Sequence, residues 1–207
     1  MTNRRGPGRP PKVDRDNFET RDALIRCGTE VLTEQGFMAT GIDSILKRVG
    51  VPKGSFYHYF ESKEAFGRAV LDNYATFFAR KLDRWLLDES LSPLERLAAF
   101  AQDAKVGMAR YDYRRGCMVG NMGQEVSVLP EGFRAVLEDI FVGWQARLAT
   151  CLREAQCCGE LAAHADCAEL AAFFWIGWEG AVLRARLVQS DIPLNTFIAG
   201  FLRGLPQ

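Results

Sequence analysis

The sequence predicts an all-α protein, and two features of its pattern lead to that prediction. Apolar residues recur every three or four positions through nearly all of the 207 residues, whereas no segment shows the strict alternation of a half-buried strand. Glycines fall between these periodic stretches, where helices are expected to end. The composition, with 48% hydrophobic and 25% charged residues, is that of a folded protein. The length suits one large core, or a small domain of about 50 to 60 residues joined to a larger one.

Three helices are predicted in the first sixty residues. The first covers 18–35, where Gly36 follows as a stop signal, and the second covers 42–49 and ends at a glycine. A third, 52–60, begins with a proline, whose fixed φ suits the first helical turn. A short helix, a glycine-containing turn and another short helix are typical of a helix-turn-helix.

The remaining chain predicts a larger helical body. Ser62 can cap a long helix at 63–87 that joins the two parts without a flexible linker. The run Ser92-Pro93-Leu94-Glu95 is a capping box that opens a helix to about Arg110. Further helices are predicted at 116–128, 130–157, 166–188 and 193–205.

Charge is distributed unevenly, although the net charge is zero. Residues 1–63 hold 11 Lys and Arg against 8 Asp and Glu, whereas residues 64–207 hold 15 against 18. The N-terminal part is therefore expected to face a polyanion. With no secretory signal and no apolar stretch long enough to span a bilayer, we expect a cytoplasmic protein. The six cysteines are expected to be free thiols, and neither a metal site nor a cofactor is predicted.

The segment TGIDSILKRVGVPKGSFYHYF, from Thr40 to Phe60 and followed by Ser-Lys-Glu at 62–64, resembles the signature of TetR-family regulators. The resemblance implies a homodimeric repressor that binds double-stranded operator DNA through its first three helices. It implies three regions: a disordered basic arm at 1–15, a helix-turn-helix domain at 16–62, and an effector-binding and dimerisation domain at 63–207.

Polar residues around the third helix are the candidates for DNA contact. Phe56 and Phe60 are spaced i, i+4 and are expected to pack inward, which leaves the other faces for phosphates and base edges. The resemblance adds a lysine at the start of the fourth helix as a phosphate contact, and a threonine before the second helix is a similar candidate. The full set is Thr40, Lys53, Gly54, Ser55, Tyr57, His58 and Lys63. The alternative is that the aromatic residues are only core and the charges only a solvated face.

The basic run RRGPGRPPK at 4–12 resembles a Gly-Arg-Pro arm that can enter an A·T-rich minor groove. A plain disordered tail that contributes only long-range attraction is the alternative.

The segment 114–125 resembles one found in a TetR subgroup related to acrylate- and maleimide-responsive repressors. Within it, Arg114 and Arg115 are expected to lower the pKa of the Cys117 thiol and so favour reaction with an electrophile. The alternative is that Cys117 is a small buried hydrophobe. The predicted effector-sensing residues are Cys117, Arg114, Arg115, Asn121, Trp178 and Glu179.

The resemblance extends to 174–186, an aromatic segment in which packing is a more usual role than pocket lining for Trp175 and Trp178. Glu179 needs a partner if it is buried, either an arginine or a ligand. Related sensors often have a lysine where this chain has Arg186. Because guanidinium stays protonated and is a poor nucleophile, a Cys–Lys crosslink is not expected here.

Three functional classes compete. An enzyme with Cys117 as nucleophile is not expected, since no histidine lies in a matching motif and His164 falls in a loop-like stretch. A ligand-free architectural DNA-binding protein would not need so large a C-terminal body, which should enclose a pocket. We therefore predict a repressor released from a near-palindromic operator by a small-molecule effector, an electrophile or an unsaturated small acid.

Overall fold

The computed structural model describes residues 14–207, with side chains from Phe18 onward. The predicted basic arm at 1–15 lies outside the described residues apart from its last two, which begin the first helix. Across the described chain all regular structure is helical, so the predicted all-α class is confirmed. The helices are α1 Asp14–Gln35, α2 Ile42–Val49, α3 Lys53–Phe56, α4 Lys63–Leu86, α5 Pro93–Arg110, α6 Met118–Gln124, α7 Phe133–Cys157, α8 Cys167–Val188 and α9 Ile192–Arg203.

Helices α1 to α3 pack around an aromatic cluster that includes the start of α4. Phe56 and Phe60 are buried with ring centroids 5.5 Å apart, and the Phe60 ring meets Phe66 of α4 at 5.0 Å. On α1, Gly28 lies so close to Phe66 that an added Cβ would approach that ring to 2.5 Å. The close approach of α1 and α4 joins the small N-terminal part to the body through shared packing.

Helix α3 is shorter than the predicted 52–60. After Phe56 the chain tightens, and the N–H groups of His58 and Tyr59 bond three residues back, to the carbonyls of Ser55 at 3.1 Å and Phe56 at 2.9 Å. A 3₁₀-type turn of this kind is common at helix ends. The turn still carries the aromatic run, with Phe60 directed inward.

The core of the body is aromatic and is built from α4, α5, α7 and α8. Phe78 packs on Trp144 with centroids 4.4 Å apart, and Trp144 packs on Trp175 at 5.0 Å. Trp175 is almost fully buried, as the packing interpretation predicted. Asp166 caps α8 by accepting hydrogen bonds from the N–H groups of Ala168 and Glu169 at 2.9 and 3.0 Å.

Some predicted bounds differ from the observed ones. Helix α7 begins at Phe133 rather than at Pro130, because Gly132 takes a left-handed conformation at φ 82° immediately before it. Within residues 14–207, no helix combines the length and apolar character that a membrane span requires.

Candidate DNA-binding face and effector cavity

The polar residues of α3 and of the turn after it are accessible, and we call them together the outer surface of α3. Lys53, Gly54, Tyr57 and His58 are exposed and Ser55 is half-buried. Tyr57 keeps 62% of its surface accessible although it follows a buried phenylalanine. The Lys53 ammonium group lies 3.0 Å from the Asp43 carboxylate, and this exposed pair is easily exchanged for a phosphate partner. A side chain added at Gly54 would meet nothing within 4 Å, so the backbone is open to a close approach there.

Two predicted phosphate contacts lie at the turn between α1 and α2. The Lys63 ammonium group donates to the Met38 carbonyl at 3.3 Å and sits 4.7 Å from the centroid of the Phe37 ring, and partial burial lowers its pKa. The structure does not present Thr40 to DNA, which corrects the expectation for that residue. Its side chain is only 2% exposed and its hydroxyl donates to the Gly36 carbonyl at 2.6 Å.

The body contains a cavity of about 380 Å³, partly open to the surface, that is large enough for a small organic molecule. Helices α4, α5 and α8 and the loop before α6 form most of its wall. Thr29, Glu30 and Thr33 of α1 complete the wall, so a molecule in the cavity would touch a helix of the predicted DNA-binding domain. Trp178 lines the cavity and also packs on Phe174 at a centroid distance of 5.6 Å.

Three titratable side chains meet on one side of this cavity. Tyr74, Cys117 and Glu179 all line it, and Cys117 and Glu179 both lie against Gly120. Tyr74 and Glu179 both affect the pKa of the Cys117 thiol. Cys117 also caps α6, because its sulfur accepts a hydrogen bond from the N–H of Gly120 at 3.4 Å. The groups come from α4, from the loop before α6 and from α8, which explains why the sequence did not predict Tyr74 as a site residue.

Burial controls the protonation of this cluster. Burial, and then the charge of Glu179, raise the pKa of the Cys117 thiol well above its usual range, and burial does the same for Tyr74. Burial also raises the pKa of Glu179 to about 7, an effect that the hydrogen bond from Cys117 partly offsets. Glu179 is half-buried and lines the cavity, so its carboxyl is partly shielded from bulk water.

The predicted role of the two arginines is wrong. Arg115 lines the cavity but turns towards α1, where its guanidinium pairs with Glu34 at 2.8 Å and Glu30 at 3.3 Å. Arg114 is exposed on the outer surface. Neither arginine is among the groups that shift the pKa of the Cys117 thiol, which burial raises. Of the two partners expected for a buried Glu179, an arginine is not found: no arginine is among the groups that shift the pKa of its carboxyl.

Asn121 lies outside the cavity wall and instead joins α6 to α1. Its amide donates to the Thr33 carbonyl at 2.6 Å. Arg186 of α8 donates to the Asn121 side-chain oxygen at 2.6 Å and to the Glu34 carbonyl at 3.0 Å. At the other end of α6, Glu125 accepts hydrogen bonds from the N–H groups that follow α1. We call these three residues, Asn121, Glu125 and Arg186, the α6 link.

Among residues 14–207, no group of His, Cys, Asp and Glu side chains is arranged to hold a metal ion. All six cysteines lie in this part of the chain and are free thiols, with Cys157 and Cys158 exposed.

Comparison with known proteins identifies the family. The model described as "Bacterial regulatory proteins, tetR family" matches residues 24–70, and that described as "Tetracyclin repressor-like, C-terminal domain" matches residues 93–201. The transcriptional regulator AcuR of Cereibacter sphaeroides is 52% identical over 193 residues, which cover 93% of this chain and 88% of AcuR. The transcriptional repressor NemR of Escherichia coli K12 is 32% identical over 187 residues, which cover 87% and 91%.

Solved structures agree with these matches. A regulatory protein TetR from Rhodobacter sphaeroides superposes with a TM-score of 0.88 at 53% identity, covering 90% of this chain and 98% of that one. The reduced form of E. coli NemR superposes with a TM-score of 0.81 at 30% identity, covering 88% and 95%. The relatives named here are transcriptional regulators, and this chain belongs to the TetR family of DNA-binding transcriptional regulators.

Proposed function

We propose that this regulator represses transcription as a homodimer on a near-palindromic operator and releases it when a small electrophile modifies Cys117. In this proposal residues 16–62 bind the operator, and residues 63–207 bind the effector and dimerise. One observation carries it: a cysteine and a carboxylic acid meet in a cavity whose wall includes α1. A compound that reacts there would alter the contacts of the helix on which the DNA-binding domain is built.

The outer surface of α3 supports the operator contacts. Lys53, Tyr57 and His58 offer a cation, a hydroxyl and an imidazole, and Gly54 between them leaves room for a groove wall. Lys63 would reach a phosphate by leaving the Met38 carbonyl, an exchange that costs one hydrogen bond at the surface. The minor-groove contact expected of the basic arm involves residues that lie outside the described chain.

Helix α8 supports the homodimer. Phe173, Ile176, Leu183 and Leu187 are exposed at three- to seven-residue spacing along one side of that helix, and Ile176 keeps 73% of its surface accessible. Ile192 at the start of α9 is also exposed. A continuous exposed apolar surface of this kind is typical of an interface, and a second copy would cover it with its own. A two-fold dimer in turn requires an operator with two related half-sites.

The α6 link supports a route from the cavity to the DNA-binding face. Cys117 caps one end of α6, and a group attached to its sulfur would have to displace that cap or the neighbouring Glu179. Asn121 and Glu125 on the same helix hold the end of α1 through short hydrogen bonds. A shift of α6 would therefore move α1. Movement of α1 together with α4 would change the spacing of the two recognition surfaces in the dimer. Full release needs a free energy difference of roughly 3 to 5 kcal/mol between the two states.

A second candidate is reversible binding of a small unsaturated acid. The cavity wall includes the Arg115 guanidinium, which now pairs with two carboxylates of α1. The carboxylate of an effector could compete with Glu30 and Glu34 for that cation, which would also loosen α1 from the body.

Operator binding measured with two probes distinguishes the two routes. A neutral unsaturated ketone tests covalent release and the acrylate anion tests reversible release, each on the wild type, Cys117→Ser and the exposed-cysteine control Cys158→Ser. Covalent sensing predicts that the ketone releases operator from the wild type and from Cys158→Ser but not from Cys117→Ser, and that dilution does not restore binding. If Cys117→Ser is released as readily as the wild type, the thiol is not the sensor.

A further inference from the structure

A buried thiol is poorly prepared for the reaction that the proposed function requires. The thiolate is the nucleophile, and a thiol with a raised pKa supplies very little of it at neutral pH. Arg114 and Arg115 do not stabilise the thiolate, since Arg115 pairs with a carboxylate of α1 and Arg114 is exposed. Another group must therefore take the proton as the carbon–sulfur bond forms.

Three groups surround the Cys117 thiol. The Gly120 N–H of α6 donates to the sulfur at 3.4 Å. Tyr74 of α4 and Glu179 of α8 line the same cavity and both affect the pKa of the thiol, and Glu179 and Cys117 both lie against Gly120. Of the three groups, only the carboxylate can receive a proton at neutral pH, because a backbone amide and a phenol are not bases there.

Gly120 makes the approach of Glu179 to Cys117 possible. A Cβ at that position would collide with the Oε2 atom of Glu179. The Glu179 carboxylate thus occupies the space that the Cβ of any residue other than glycine would take at position 120, one helical turn from the thiol. Glycine inside a helix costs about 1 kcal/mol relative to alanine, and here it admits a carboxylate to the thiol.

We propose that Glu179 is the base that removes the proton of Cys117 during addition to an unsaturated carbonyl compound, and the acid that returns it. This inference rests on the proposed function, because it describes how the same thiol reacts. Tyr74 and the Gly120 N–H act as donors that stabilise the negative charge developing on the sulfur.

The step is balanced and needs no oxidant. The S–H proton moves to a Glu179 carboxylate oxygen while the sulfur forms a bond to the β-carbon of the acceptor. The π electrons of the carbon–carbon double bond move towards the carbonyl and give an enolate. The α-carbon of the enolate then takes the proton from Glu179, so the carboxylate is regenerated and the product is a neutral thioether.

The rate of modification should follow the ionisation of the carboxylic acid. Below a pH of about 7, Glu179 is mostly protonated and cannot accept the proton. Above that pH it is mostly ionised, so the rate should rise through neutrality and level off well before the thiol itself ionises. Among the charged residues that line the cavity, Lys81 pairs with Asp103, and Arg115 pairs with Glu30 and with Glu34 of α1. Arg110 is exposed, and none of these residues is among the groups that shift the pKa of Glu179.

The test is the rate at which methyl vinyl ketone modifies Cys117 in the full chain, followed by peptide mass spectrometry between pH 5.5 and 9.5. Glu179→Gln keeps the size of the side chain and removes the base. We expect it to slow modification at pH 7.5 by about 10²-fold and to shift the rise in rate to alkaline pH. Exposed Cys158 is the internal control, and its rate should be equal in both proteins.

The wild-type pH profile keeps the inference testable if Glu179→Gln does not fold. A rate that increases only above pH 9 in the wild type overturns the proposal, as does a folded Glu179→Gln protein that reacts at the wild-type rate. Operator release is scored separately. An adduct that forms through Glu179 but leaves the operator bound contradicts the proposed function alone, whereas release with an unchanged rate in Glu179→Gln contradicts this inference alone.

Discussion

The Glu125 carboxylate accepts a hydrogen bond from the backbone N–H of Phe37 at 2.8 Å, although the two residues are 88 positions apart. The bond joins the end of α6 to the turn that leads into α2. Gly36 precedes this turn at φ 83°, and a Cβ there would collide with the same carboxylate. The helices of the N-terminal part are thus positioned partly by a side chain from the larger helical body.

Removal of that carboxylate should therefore destabilise the protein. In Glu125→Ala the N–H of Phe37 loses its acceptor at a half-buried site, and we expect a loss of about 1 to 2 kcal/mol in the free energy of unfolding. Urea denaturation measures it. Glu138→Ala, which removes an exposed carboxylate from α7, should change stability by less than about 0.5 kcal/mol. Equal stability of the two variants would contradict the role given to Glu125.

Loss of side chains from the outer surface of α3 should weaken operator binding without affecting folding. We expect Lys53→Ala and Tyr57→Ala each to cost roughly 1 to 3 kcal/mol of operator binding, because both side chains are exposed. Mobility shifts report affinity, and light scattering reports the oligomeric state. Arg153→Ala removes an exposed cation from α7 and should leave operator binding unchanged. Unchanged operator affinity in both α3 variants would remove this surface from the interface.

The fold could be predicted because its signals are local. Periodicity predicted α2 with its observed bounds, and the proline-glutamate pattern at Ser92 predicted the start of α5. The cluster of Tyr74, Cys117 and Glu179 could be predicted only in part. Cys117 was identified from a resemblance and Glu179 as a carboxylate within an aromatic helix, but the burial that raises their pKa values and the proximity of Tyr74 depend on how α4, α8 and the loop before α6 meet. Sequence proximity was misleading for Arg114 and Arg115, because the loop directs neighbouring side chains in different directions.

Two glycines of α6 should respond differently to alanine. At Gly120 the new methyl group would push the Glu179 carboxylate aside, so we expect slower modification of Cys117 and a loss of stability of up to about 1 kcal/mol. At Gly123 nothing lies within 4 Å, so alanine should be neutral or stabilising by up to about 1 kcal/mol. Thermal unfolding and the ketone reaction test both. A Gly120→Ala protein that is as stable and as reactive as Gly123→Ala would show that the carboxylate does not need this space.

Stability should fall as the pH rises from about 4.5 to about 7. Burial raises the pKa of Glu179 to about 7 from 4.5 in the unfolded chain, so the folded protein binds the extra proton in this window. This contribution of Glu179 to stability is fully present below its pKa in the unfolded chain. It is lost as the pH rises through its pKa in the folded protein. We expect it to amount to about 1 to 3 kcal/mol.

Chemical denaturation at pH 5.0 and 7.5 measures this difference. Glu179→Gln should show a smaller difference than the wild type, whereas Glu169→Gln, an exposed change on the same helix, should match the wild type. An identical pH dependence in wild type and Glu179→Gln would mean that another group is responsible.

Replacement of Arg186 by lysine should lower the stability of the protein and weaken the coupling between the cavity and operator binding. Its guanidinium bonds the Asn121 side chain and the Glu34 carbonyl at once, and it thereby ties α8 to both α6 and α1. A lysine keeps the charge but lacks the planar fork that serves two acceptors in fixed directions. In Arg186→Lys we expect a loss of about 1 kcal/mol of stability and a smaller fold-change in operator affinity when Cys117 is modified, because α6 then holds α1 less firmly. Arg184→Lys, an exposed change on the same helix, should alter neither quantity. If Arg186→Lys keeps the full fold-change in operator affinity, the signal from the cavity does not pass through this part of the α6 link.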